Sequence, residues 1–175
     1  MTDGDRADER RTDELQLDEI AGVVDLFGAL TPAELERALN ELAFKQRAGV
    51  DEDVVADAVD DAVSAYALVR YEDGEQTLLA PGPTAFPTLP DNAEDLPHIL
   101  DVPAREVERE AAGAALAERL RTDAARAVSR SDAAAMERLL DVTYDVDVWS
   151  DAVDVDDIRA RLDDALAGDA PVDDP

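Results

Sequence analysis

The chain has 175 residues, no cysteine, and forty-four carboxylates set against fifteen arginines and one lysine, Lys45, for a formal charge of −28. Absence of cysteine excludes disulfides, thiolate nucleophiles and zinc thiolate sites. The longest run of small apolar residues, Ala111 to Ala117, falls far short of the roughly 20 residues that span a bilayer, and the first residues lack the basic and apolar regions of a signal peptide. A cytoplasmic protein without membrane contact is the expectation.

So large a charge repels itself in the compact state unless ions screen it, and molar salt shortens the Debye length to about 3 Å. Asp outnumbers Glu by twenty-nine to fifteen, Ala occurs thirty-two times and Ile three times. The core must therefore be built from small side chains with Leu and Val, with modest burial per residue. Residues 1–14 and 168–175 carry no apolar period and are expected to be disordered tails.

Ile20, Val23, Val24, Phe27 and Leu30 recur at helical spacing and predict a first helix. Thr31-Pro32-Ala33-Glu34 then supplies an N-cap hydroxyl, a proline at the first helical position and a carboxylate at the third, a capping box. The helix that follows turns Leu35, Leu39 and Leu42 inward and is expected to stop at Gly49. A third runs from about Asp51 with Val55, Val59, Val63 and Tyr66 inward and Asp53, Asp57, Asp60 and Asp61 outward. Leu68 to Tyr71 and Gln76 to Leu79 flank Asp73-Gly74 and predict a β-hairpin with a type I′ turn. Three helices and a hairpin, over residues 15–80, resemble a winged-helix domain in order and length.

Six of the nine prolines fall within residues 81–103, which reads as an extended connector. Its Phe86, Leu89, Leu96, Ile99 and Leu100 are too apolar for a free linker, so it is expected to lie packed and to tie the two halves together. Residues 104–167 read as a helical C-terminal region. A long helix is predicted from about Pro103 to Val128, a shorter one from Asp132 to Leu140, a strand over Val142 to Trp149 from its alternation, and a last helix capped by Asp154. The fold class is mainly α with a small β-hairpin, a winged-helix-like N-terminal half and a helical C-terminal half.

Residues 105–130 hold six Arg against five acids, the one sizeable segment that is not strongly negative. On a continuous helix Arg105, Arg109, Arg119, Arg126 and Arg130 share an arc of roughly 100°. That face and the apolar Phe86 and Leu89 form the candidate interaction surface, although Glu108, Asp123 and Leu116 within the arc favour internal pairing. The third helix shows only acids outward, the wrong sign for phosphate, which weighs against nucleic-acid binding through a groove-reading helix. Asp145-Val146-Asp147 and Asp154 to Asp157 lack the oxygen-ligand spacing of an EF-hand, since Trp149 and Ser150 occupy key positions. His98, the one imidazole, has no Cys or serine elbow to serve and reads as a packed structural side chain; Trp149 reads as a core or rim anchor.

Val23 to Leu30, Glu41 to Lys45 and Pro83 to Pro90 are similar to segments of a small uncharacterised acidic protein family of halophilic archaea, and this resemblance extends over most of the chain. It implies no activity. The expected function is a non-enzymatic protein-interaction or regulatory module with no cofactor or metal, acting on a protein partner or on itself; the alternative is a winged-helix regulator associated with nucleic acid. Helicity followed by circular dichroism is expected to be full at molar KCl and to fall on dilution of the salt.

Overall fold

The computed structural model describes residues 16–46 and 52–168. Gly49, Asp51 and the expected tails, apart from Gly168, lie outside them. The chain is mainly helical and divides into two compact units, one ending at Glu108 and the other starting at Arg109.

In the first unit, helix α1 covers residues 16–27, α2 Pro32–Lys45 and α3 Glu52–Ser64. The Thr31 hydroxyl accepts the Glu34 N–H at 3.2 Å while the Glu34 carboxylate accepts the Thr31 N–H at 2.8 Å. Two otherwise orphaned donors are thereby satisfied at the start of α2. At the end of α3, Tyr66 adopts φ +63° and the Ala67 N–H bonds the Ala62 carbonyl at 3.0 Å, a Schellman closure.

Strands β1 (Leu68–Asp73) and β2 (Gln76–Pro81) pair antiparallel with Asp73 opposite Gln76. The turn therefore has Gly74 and Glu75 at its centre, one residue later than Asp-Gly spacing suggested. Of the two, only Gly74 takes a positive φ, +62°, which is the pattern of a type II′ turn. Leu30, between α1 and α2, exchanges both backbone hydrogen bonds with Leu79, at 3.1 and 2.7 Å, and so adds a third element to the edge of β2. Val23, Phe27, Leu30, Leu35, Leu68 and Leu79 meet in the core beneath. The proline-rich segment joins that core through Ala93, Leu96 and Leu100, and contains one helical turn, α4 (Leu96–Ile99).

The second unit packs α5 (Arg109–Ser129), α6 (Ala133–Trp149) and α7 (Asp156–Gly168) against one another. The long helix starts at Arg109, not near Pro103; residues 101–108 are non-helical. The expected strand over Val142 to Trp149 is the second half of α6. Val142 and Val146, four residues apart, are buried with Met136 and Leu139, whereas Val148 is 90 % exposed. The apparent alternation came from counting these outward residues together with the inward ones. Asp154, read as the cap of the last helix, stands one residue before the N-cap position: it accepts the Asp156 N–H at 3.0 Å, while the Val155 carbonyl takes the first helical bond, from Arg159.

Arg159 of α7 fastens α6. Its guanidinium donates to the Thr143 hydroxyl at 3.1 Å, the Thr143 carbonyl at 3.0 Å and the Asp147 carboxylate at 2.6 Å, and lies 4.5 Å from the Tyr144 ring centre. Thr143 is fully buried, and its hydroxyl donates to the Leu140 carbonyl at 2.6 Å while accepting from Arg159, so both its donor and its acceptor are used. Ser131 closes α5 with φ +50° while exposed to solvent. A side chain in that left-handed conformation costs about 1 kcal/mol, so Ser131→Gly is expected to stabilise the unit by about that amount in thermal denaturation.

Candidate interaction surface

Thr84, Phe86 and Thr88 hold the proline-rich segment against the first unit. The Thr84 hydroxyl donates to the Ala65 carbonyl at 2.8 Å, the Phe86 N–H to the Asp18 carboxylate at 2.9 Å and the Thr88 N–H to the Asp18 carbonyl at 3.0 Å. Gly22 of α1 lets this strap lie close, because a Cβ there would collide with the Thr88 carbonyl oxygen. With the backbone so fixed, the Phe86 ring stands 80 % exposed and Leu89 43 % exposed. The expectation that the segment is packed holds for Leu96 and Leu100 and fails for Phe86, Leu89 and Ile99. His98, read as packed, is exposed.

The arginines do not form one face. Arg105 lies before the helix and belongs to the first unit, where its guanidinium makes a two-pronged contact with Glu34 at 2.7 and 3.0 Å and reaches the Ala29 carbonyl at 3.2 Å. Its N–H donates to the Phe27 carbonyl at 2.8 Å. Gly28, at φ +82°, sits directly beneath, where any Cβ would strike the Arg105 carbonyl oxygen. The hydrogen bond from Arg105 holds the Glu34 carboxyl below its ordinary range, and the Glu34 carboxylate raises Arg105 in turn. Burial pushes the nearby Tyr71 phenol up.

In the second unit Arg119 and Arg126 both lie 3.5 Å from Asp123, and Arg121 bonds Glu118. Leu116, Ala112 and Ala127, which share the predicted arc, are buried. Arg109 and Arg130 are exposed and have no ion pair among the described residues. Internal pairing thus takes up Arg119 and Arg126 on one side of the arc, and Leu116 and Ala127 carry its other side into the buried face of α5.

Sequence reading did not find the exposed Phe44, Val54, Ile99, Tyr144 and Val148. Helical period assigns an apolar residue to a face, but only neighbouring elements decide whether that face is covered. Among the described residues no three His, Cys, Asp or Glu side chains form a metal-binding group, and no helix is long and apolar enough to cross a membrane.

Residues 18–167 match the model of a family described as a family of unknown function, DUF7109. The chain belongs to this family. No curated protein and no solved structure matches it. The matched span includes the DUF7109 protein's strap, the Glu34–Arg105 pair and the whole second helical unit.

Glu34 and Arg105 are both largely buried, so Glu34→Gln is expected to cost about 2 kcal/mol at neutral pH. Because the native carboxyl is depressed, its contribution is complete above the unfolded glutamate value of about 4.3 and fades as pH falls through the lower native one. The stability difference between wild type and Glu34→Gln, from denaturant melts, is expected to shrink over that acid window.

Proposed function

We propose that this chain is a non-enzymatic interaction module of a salt-rich cytoplasm, in which a winged-helix-like first unit presents a fixed apolar strap to a protein partner. The observation that carries this reading is Phe86, whose ring is 80 % exposed although the backbone around it is tied to α1 and to the end of α3. An aromatic held in place costs little ordering entropy on binding and supplies much apolar contact. Apolar contact also survives molar salt, which screens charge steering.

The Leu30–Leu79 pairing supports the winged-helix part of the reading, because it adds the short strand between the first two helices to the wing hairpin. That same resemblance favours a second reading as a regulator associated with nucleic acid. Charge opposes it: Asp53, Asp57 and Asp61 face solvent on α3, Glu72, Asp73 and Glu75 surround the wing tip, and Arg70 lies 3.5 Å from Asp60.

Immobilised protein at molar KCl is expected to capture a partner from lysate of its source cells, and Phe86→Ala to lower that capture about tenfold with helicity unchanged. Undiminished capture by Phe86→Ala would remove the strap from the interface. Saturable anisotropy with a duplex DNA library at the same salt would favour the second reading.

A further inference from the structure

We infer that the groove bounded by α1, α2 and α3 seats apolar side chains of a cationic amphipathic helix, a partner segment bearing Leu and Arg. The inference rests on the interaction reading and adds the chemistry of the partner. The groove has a volume of about 260 Å³ and is lined by Ile20, Leu39, Leu42, Val54, Ala58 and Pro90 with a few polar neighbours. That is under the roughly 300–1,000 Å³ of small-molecule sites and suits inserted side chains. Val54 at its mouth is 56 % exposed, a β-branched apolar residue left open to water. Pro90 follows Leu89 directly, so the groove continues the strap that displays Phe86.

At the contact distances of the groove's rim, comparable to the roughly 3 Å Debye length of molar salt, charge still discriminates between occupants although long-range steering is screened. Among the described residues no cation lines the groove, and Glu19 does. Glu36 lies three residues before Leu39 on α2 and Asp61 three residues after Ala58 on α3, so each shares a helix face with a lining residue. Lys45, beside the groove residue Gln46, points its ammonium to the Asn92 carbonyl at 3.4 Å. A second copy of a chain with a charge of −28 would bring like charge to this rim, whereas an Arg-bearing helix brings the opposite sign and lays its aliphatic stems on apolar surface.

The test is fluorescence anisotropy of a labelled amphipathic Leu/Arg peptide with the full chain, at the lowest KCl that retains wild-type helicity. Saturable binding is expected, weakened about tenfold by Val54→Arg and severalfold by Glu19→Lys, with a Leu/Glu peptide of the same pattern at least about tenfold weaker. Val54 and Glu19 are both exposed; should Val54→Arg lose helicity, Glu19→Lys decides alone. Absence of saturable binding, equal binding of the two peptides, or indifference to a folded variant would overturn the proposal. So would a dimer in sedimentation that Val54→Arg dissolves, since the groove would then belong to a second copy. Partner capture that depends on Phe86 without peptide binding leaves the interaction reading standing and sinks the groove; peptide binding with capture indifferent to Phe86 does the reverse.

Discussion

Glu34 serves two parts of the first unit with one carboxylate: it closes the capping box at the start of α2 and receives the guanidinium of Arg105. The two roles reinforce each other, because the cap holds the carboxylate in place before the arginine arrives. Seventy-one residues separate the partners, so the pair joins the chain leaving this unit to the turn between its first two helices. Gly28 allows the backbones to meet there, and the Phe27 carbonyl receives the Arg105 N–H. A salt bridge exposed to molar salt would contribute little. This one is shielded by burial and supplemented by backbone hydrogen bonds, which is where a charge pair retains its effect.

A chain so rich in acids has few cations to distribute, and their placement is economical. Arg105 closes the first unit, and Arg159 joins α6 to α7 in the second through three polar contacts and the face of Tyr144. Both are arginines, whose planar fork can reach several acceptors at once. The apolar complement is equally divided: small residues fill the helix contacts of α5, as at Ala112, Gly113 and Ala124, while Phe44, Phe86 and Val148 are left outside. Large apolar side chains on an otherwise acidic surface are the departures from background that give the proposed interaction module its physical basis.

Much of the architecture was legible from residues alone. The capping box named the first residue of α2, and the change of period from 3.6 to 2 located the hairpin, because both signals lie within a few residues of what they specify. The failures are also particular. Val142, Tyr144, Val146 and Val148 alternate like a strand, and only the packing of α5 and α7 shows that two of the four are core. Periodicity extends the helix through Arg105 with Arg109, since nothing local reveals that residues 101–108 are non-helical or that Arg105 pairs with Glu34, seventy-one positions earlier. Of the candidate interaction residues, Phe86 and Leu89 were legible as apolar residues in a proline-rich segment, but their exposure was not.

Composition and local pattern by themselves determined the charge, the dominance of helix, the hairpin and the absence of cysteine chemistry, because each depends on residue type or on spacing within a turn or two. Tertiary structure alone decided which apolar residues are covered, which arginines are already engaged, and that Leu30 joins the hairpin at Leu79. Those outcomes depend on contacts between residues far apart in the chain. Local spacing carries no record of such contacts, and burial and pairing are properties of the neighbours a residue meets after folding.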